Sequence, residues 1–217
     1  TQIFADKNVK ISVHPRSSAS PGLVAAGDCV VEIQVEIVVV EENEVTPEQK
    51  DEMLRLQIAC FSDQVTAEEV EEDFVRPPVA RVLAYHQDEL IACAEVFKRE
   101  VEYCGQTIIL GGFGPCTRED LRGQGIGTLV CKAAMDYLRG QGCDIAFLSV
   151  DTERETHQLY ERLGFKMLPK PFIYANIRGE LKESDGGMIA PLCSQELFER
   201  VLRGDARFAL TPEPGYW

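Results

Sequence analysis

The 217-residue chain predicts an α/β (α+β) fold, with a mixed, mostly antiparallel central sheet flanked by helices. Three observations predict it. Three apolar strand segments between Val79 and Thr117 follow one another through short polar or glycine turns, as in an antiparallel meander. The last of them runs into a glycine-rich turn, Arg122-Gly123-Gln124-Gly125-Ile126-Gly127, which opens a helix-period segment. A short apolar strand, Asp144–Val150, follows that helix, so the crossover should add a parallel neighbour to the sheet.

Taken in order, residues 1–28 are poorly patterned, with Pro15, Ser17-Ser18-Ala19-Ser20-Pro21-Gly22 and Gly27, and are expected to form an N-terminal arm or an extra strand. Cys29–Val40 is β-branched and reads as the first long strand. Thr46-Pro47-Glu48-Gln49 supplies an N-cap, a proline at the first helical position and a capping box. Met53, Leu54, Ile58 and Phe61 follow at helical spacing. Thr66-Ala67-Glu68-Glu69 opens a second, short helix that carries Glu68, Glu69, Glu71, Glu72 and Asp73, and Arg76-Pro77-Pro78 stops it. Val79–Tyr85, Leu90 through Val101 and Thr107–Thr117 form the meander, with turns at Gln87-Asp88-Glu89 and Tyr103-Cys104-Gly105-Gln106. The glycines and proline of Gly111-Gly112-Phe113-Gly114-Pro115 suggest a bulge, because they weaken regular pairing. Ile126, Leu129, Val130, Ala133, Ala134, Tyr137 and Leu138 form a complete helical stripe that Gly140 and Gly142 end. Glu153–Leu163 reads as a helix with Gly164 just past its end. Strands are expected at Phe165–Leu168, Phe172–Ile177 and Gly187–Leu192, and Ser194 caps a helix over Gln195–Arg203 that Gly204 terminates.

Acidic residues outnumber basic ones 36 to 22, and the formal charge of −14 disfavours nucleic acid and anionic membrane as partners. No run of eighteen apolar residues is present, so no membrane span is expected. The eight cysteines include no Cys-x-x-Cys, and Cys60, Cys93, Cys131 and Cys143 sit in apolar segments as small hydrophobes do. With three histidines and no zinc spacing, no metal site is expected, and the cysteine usage points to a reducing, cytoplasmic compartment.

A strand that feeds a glycine turn and then a helix start is an anion site. The first helical N–H groups lack intrahelical partners, and glycine lets the backbone approach phosphate oxygens. A nucleoside-triphosphate loop needs Lys after its last glycine, and none follows Gly127. The dinucleotide fingerprint Gly-x-Gly-x-x-Gly fails because the third glycine comes one residue early. Arg122-x-x-Gly125-x-Gly127 after a long strand resembles instead the acetyl-CoA pyrophosphate loop of the GCN5-related N-acetyltransferase (GNAT) superfamily. Downstream, Leu159-Tyr160-Glu161-Arg162-Leu163-Gly164-Phe165 is similar to that superfamily's Leu-Tyr-x-x-x-Gly-Phe.

The resemblance covers about residues 30 to 178 and implies three parts: an arm over 1–28, the acetyltransferase domain over 29–178, and a C-terminal extension over 179–217 packed on the same domain. It implies acetyl-CoA as co-substrate, held at Cys116, Thr117, Arg122, Gly123, Gln124, Gly125, Ile126, Gly127 and Thr128. The strand ahead of the loop should splay from Asp144–Val150, pair with pantetheine at Cys116 and Thr117, and offer an oxyanion donor near Pro115 to Thr117. Arg122 either adds charge or holds the loop, with a salt bridge to Glu119 or Asp120 as the other reading. Tyr160 matches the tyrosine that protonates the departing thiolate. The superfamily's usual glutamate base falls at Phe113 and is absent. Asp151 is the first substitute, with helix capping as its competing role; Glu95 or the terminal carboxylate would act through water, and His157 reads as a surface or helix-packing residue.

The implied activity is N-acetyl transfer to a primary amine by direct attack through a tetrahedral intermediate. Glu41, Glu42, Glu44 and the Glu68–Asp73 cluster favour a small cationic acceptor, although such a run also serves as a solvated face. Asp185-Gly186-Gly187-Met188-Ile189-Ala190-Pro191-Leu192 with the final Trp217 loosely resembles the aminoglycoside 2′-N-acetyltransferases. A non-catalytic acyl-CoA sensor is the alternative class. Residues 178–217 would cover the site or form a homodimer contact.

Overall fold

The computed structural model describes residues 8–13, 33–61, 77–151, 156–176 and 178–211. Its strands are β1 (Asn8–Val13), β2 (Ile33–Glu41), β3 (Ala80–His86), β4 (Glu89–Tyr103), β5 (Gln106–Thr117), β6 (Ile145–Ser149), β7 (Lys166–Met167), β8 (Phe172–Ala175), β9 (Leu181–Ser184) and β10 (Gly187–Pro191). The helices are α1 (Pro47–Phe61), α2 (Ile126–Gly140), α3 (His157–Arg162) and α4 (Gln195–Arg203). Eight strands form one sheet in the order β1-β2-β3-β4-β5-β6-β10-β7, while β8 and β9 make a separate hairpin. Among the described residues, only β5 and β6 run parallel within the large sheet; its other neighbours are antiparallel, as the mostly antiparallel sheet read from the sequence predicts.

Two tight hairpins set the register. Gln87 (φ 49°) and Asp88 (φ 65°) turn β3 into β4, and Cys104 (φ 51°) and Gly105 (φ 74°) turn β4 into β5. Consecutive left-handed residues give a turn whose twist matches that of the flanking strands. The β4–β5 ladder is then unbroken from Tyr103↔Gln106 to Ala92↔Thr117, so the expected bulge at 111–115 does not form. The irregularity falls between Ala84 and Tyr85 instead. Pro115 is tolerated for a geometric reason. Arg118 N–H donates to Ile91 O at 2.9 Å, in register with the β4–β5 ladder. Alternation therefore turns the backbone of Cys116, Gly114 and Gly112 toward β4, and that of Thr117, Pro115 and Phe113 toward β6. The proline's missing N–H costs no bond to β4.

Side chains divide the sheet into two faces. On one, α2 packs Val130, Ala134 and Leu138 against Val82, Ala94, Val96 and Phe113. On the other, α1 sets Met53 and Leu56 over Leu83, Cys93 and Cys116. Further along that second face α4 places Leu197, Phe198 and Val201 against Phe97, Leu110 and Phe147. The buried side of α1 is therefore Met53 and Leu56, while Leu54 and Ile58 of the expected stripe are 55% and 59% exposed. Leu54 lies about 100° round the helix from Met53 and follows a neighbouring face.

Caps behave as their residues predict. Thr46 N–H donates to Gln49 Oε1 at 3.0 Å and Gln49 N–H donates to Thr46 Oγ1 at 3.2 Å, a reciprocal capping box. Ser194 Oγ accepts from Leu197 N–H at 3.2 Å, and Gly204 (φ 71°) closes α4. The C-terminal part builds onto the sheet: β10 lies between β6 and β7, Phe147 stacks on Phe208 at 5.6 Å, and buried Arg99 donates from Nη2 to Leu210 O. Cys29–Glu32, the acidic second helix, the first turn expected from Glu153, Ile177 and Trp217 lie outside the described residues.

A Cβ on Gly111 would lie 2.8 Å from both Leu138 methyl carbons, so Gly111→Val should lower stability by about 1–3 kcal/mol. Denaturant unfolding checks this, and Leu138→Ala in the same chain should recover part of the loss.

Candidate active site

The site begins where β5 and β6 part. Their parallel pairing consists of Leu110↔Ile145 and Gly111↔Ala146. Asp144 pins the junction: its N–H donates to Ile109 O at 2.8 Å and its Oδ2 accepts from Ile109 N–H at 2.7 Å. Beyond it, β6 follows β10 as far as the bond from Val150 N–H to Gly186 O at 2.8 Å, whereas β5 follows β4 to Arg118. The gap exposes the Phe113 N–H and C=O, the Pro115 C=O and the Thr117 N–H along β5, opposite the backbone of Phe147 and Ser149. Cys116 is not turned to this gap; its backbone faces β4 and its thiol donates to Leu56 O at 3.7 Å on the α1 side.

The loop after β5 is held from below. Arg118 binds Glu89 at 2.7 Å and Asp120 at 2.7 Å, and Arg122 N–H donates to Glu119 O at 3.1 Å. With Asp120 taken, Arg122 forms neither salt bridge considered from the sequence; its Nε donates to Thr117 O at 3.2 Å and ties the loop to the strand end. Gly123 (φ 78°) and Gly125 (φ 88°) adopt the left-handed backbone that glycine permits without strain. The first bond into α2 is Leu129 N–H to Gly125 O at 3.2 Å. Among the described residues, the N–H groups of Gly123, Gln124, Gly125, Ile126, Gly127 and Thr128 have no backbone partner. A Cβ on Gly127 would stand 3.2 Å from Thr117 Oγ1, so helix and strand end meet closely there.

Across the gap, α3 closes through Phe165 N–H, which donates to Tyr160 O at 3.0 Å beside left-handed Gly164. That turn sets the Tyr160 ring edge-on to Phe165 at 5.8 Å, and Phe165 edge-on to Phe113 at 6.0 Å. Leu159 reaches to 4.0 Å from a Gly127 Cβ, so the tyrosine helix abuts the start of α2. Burial, and then the adjacent Cys131, push the Tyr160 phenol well above its ordinary value. Asp151 is exposed just past the last β6–β10 pair.

Three thiols lie beneath the strand end. Cys60 donates to Thr117 O at 3.3 Å, and burial followed by contact with Cys116 pushes its thiol up to about 11. The Cys116 thiol is raised first by its contact with Cys93 and then by burial. No group of metal-ligating side chains occurs among the described residues, and no helix there is long and apolar enough to cross a membrane.

The sequence model of the acetyltransferase (GNAT) family matches residues 50–165, more than half of the chain. The chain belongs to this family. As a GNAT N-acetyltransferase it takes its acetyl group from acetyl-CoA. Among solved structures it is similar to ElaA from Escherichia coli, at 19% identity over 72% of this chain and 99% of that one, with a TM-score of 0.52. A candidate N-acetyltransferase from Lactobacillus plantarum is 21% identical over 73% of this chain and 98% of that one, with a TM-score of 0.50. The chain spans only 33% of a GCN5-related N-acetyltransferase from Kribbella flavida, which is 20% identical over 61% of this chain with a TM-score of 0.47. A search of the curated proteins gave no significant match.

The GNAT cradle fits a pyrophosphate. It offers consecutive N–H donors at the start of a fifteen-residue helix, a positive macrodipole end and glycines that keep side chains away. The structure brings Thr117, Arg122 and the loop glycines together at the end of β5, links Tyr160 to them through Phe165 on Phe113 and Leu159 beside Gly127, and turns Cys116 away from the gap. Sequence reading took Asp144 as an ordinary strand start and missed its role as the pin, since its partner Ile109 is 35 residues away.

Because a neutral thiol reacts poorly, iodoacetamide at pH 8 should modify Cys60 more than about tenfold slower than exposed Cys104. Its rate should climb as the pH approaches 11, and peptide mass mapping after timed labelling checks both statements.

Proposed function

We propose that the chain acetylates a primary amine of a small cationic molecule, with direct transfer from acetyl-CoA. The observation that carries this is the unpaired β5 edge leading straight into the N–H cradle of α2. Acetyl-CoA supplies an acyl group already activated as a thioester. The cradle N–H groups from Gly123 to Thr128 bind the pyrophosphate, and Arg122 keeps the loop on the strand end. The Phe113, Pro115 and Thr117 backbone groups pair with the amide-bearing arm as a neighbouring strand would. Since Pro115 lacks an N–H and Cys116 faces β4, Thr117 is the oxyanion donor among the three residues considered from sequence.

Tyr160 serves as the hydrogen-bond donor to the departing sulfur. Burial holds the phenol neutral, so it is present as a donor across the working pH range. The thiols near the strand end support direct transfer over a covalent acyl-enzyme, because Cys60 and Cys116 are both held protonated. A cationic acceptor is favoured by the formal charge of −14 and by Glu42, Glu52 and Glu95 beside α1. The stretch resembling aminoglycoside enzymes forms a buried core strand, with Met188, Ile189 and Ala190 each 0% exposed, so packing accounts for its residues.

Release of free thiol from acetyl-CoA, measured with spermidine, lysine amide, kanamycin and a short peptide, tests this function. Turnover of a polycationic amine is expected; acetyl-CoA binding without any release would make the chain a sensor. Tyr160→Phe should cut kcat at least about tenfold and leave the acetyl-CoA Kd within about twofold, read by steady-state kinetics and calorimetry.

A further inference from the structure

The residue at the family's base position, Phe113, points to the α2 face, where it meets Phe165. Its neighbour Gly114 points to the opposite face, under α1. Gly114 is exposed, and a Cβ built on it would meet nothing within 4 Å, so an open hollow lies over it. The cross-strand partner of Gly114 is Glu95 on β4, and the partner of Glu95 on β3 is Arg81. Directly opposed residues share a face, so Glu95 borders the hollow.

The Glu95 carboxylate is one end of a charge chain. Its Oε1 lies 2.9 Å from Arg81 Nη1, and Arg81 Nε lies 2.7 Å from Glu42 Oε2. Lys50 Nζ is 2.9 Å from the other Glu42 oxygen. Arg81 is thus divided between two carboxylates and its side chain is only 12% exposed, whereas that of Glu95 is 24% exposed. From α1 the Gln57 amide hydrogen-bonds Glu95, and its cross-strand partner on β5 is the uncharged Gly114.

We propose that the acceptor amine enters the hollow over Gly114 from the α1 side and gives up a proton to the Glu95 carboxylate. This rests on the acetyl-transfer reading above and adds the acceptor's position and its base. The ammonium N–H passes its proton to Glu95, which becomes a neutral acid. The freed nitrogen lone pair forms the C–N bond to the acetyl carbon. The C–S bond breaks with its electron pair going to sulfur, and the sulfur takes up the second proton that the nitrogen sheds, through the Tyr160 hydroxyl or water. Glu95 returns its proton to solvent, so amide, free thiol and one proton leave. Donor and acceptor then approach from opposite faces, through the gap between β5 and β6.

The environment of Glu95 suits a base. Burial raises its affinity for a proton, Arg81 and Gln57 oppose this, and Glu42 adds to it; the net direction is upward. Below its raised value Glu95 is protonated and cannot accept, so the acidic limb of kcat/KM should lie above the ordinary glutamate value of about 4.3.

Full-length protein, acetyl-CoA, spermidine and lysine amide test the proposal. Glu95→Gln should lower kcat/KM about 10²-fold at pH 7, with the deficit shrinking roughly tenfold per pH unit as the free amine form grows. Its acetyl-CoA Kd and Tm should stay near those of the parent. Gly114→Val, whose Cβ meets nothing within 4 Å, should raise the acceptor KM at least about tenfold and leave the acetyl-CoA Kd unchanged. Normal pH profiles in Glu95→Gln, an unchanged acceptor KM in Gly114→Val, or a lost acidic limb in Asp151→Asn alone would overturn the proposal. Failure of the parent to bind acetyl-CoA, or to release thiol with either amine, would instead overturn the acetyl-transfer reading and this inference with it.

Discussion

β5 and β6 separate because each is committed to a different neighbour. Beyond Gly111↔Ala146, β5 continues its unbroken ladder with β4 while β6 continues with β10. Sheet twist makes the two directions diverge. Asp144 fixes the point of divergence through two bonds to Ile109, and Gly111 lets α2 lie close enough for Leu138 to cover it. The separation leaves backbone donors and acceptors that a continuous sheet would have paired. Leaving such a group buried and unsatisfied costs about 1–3 kcal/mol, so the edge must be met by water or by a ligand with amide groups. A binding edge is therefore a consequence of the sheet's connectivity.

The same strand separates the chemistry by parity. Odd-numbered side chains of β5 face α2, with Phe113 beside Phe165 and Thr117 Oγ1 against the start of α2. Even-numbered positions face the opposite side, with Cys116 under Leu56 and Gly114 beside Glu95. The loop N–H groups that lack backbone partners and the Tyr160 ring thus lie on one face, and the carboxylates around Arg81 on the other. On the function proposed above, an anionic donor and a cationic acceptor would each meet complementary charge on their own side of the strand. The free thiols under the strand end pack as apolar groups, with Cys93 fully buried, and their surroundings push the Cys60 and Cys116 thiols upward.

Much of the fold was legible because its signals are local. The capping box at Thr46 and Gln49 acts over three residues, two-residue turns join the meander, and α2 announces itself by a full apolar stripe; each of these appears where the sequence places it. The misreadings arose where a residue has two uses. Gly and Pro at 111–115 weaken pairing in general, yet here the proline's missing N–H points at a gap and the glycines admit Leu138 and leave a hollow. Leu54 and Ile58 are as apolar as Leu56, and only the position of β4 and β5 beneath α1 decides which of them is buried. Arg122 had two carboxylates within three residues, but Arg118 holds one of them with a bidentate grip and the Thr117 carbonyl is in reach.

By itself the sequence determined the mixed sheet, the order of the meander, its following helix and strand, and a loop whose helix-start N–H groups lack intrahelical partners, since these follow from propensity, capping and helix-terminus geometry. Two short motifs were enough to indicate the family that the match over residues 50–165 shows. Tertiary structure alone decided which residues face the gap. Strand parity turned Thr117 toward it and Cys116 away, and cross-strand register brought Glu95 to Gly114, nineteen positions along the chain. Such pairings depend on how distant strands align, and a one-residue slip would send every side chain to the other face.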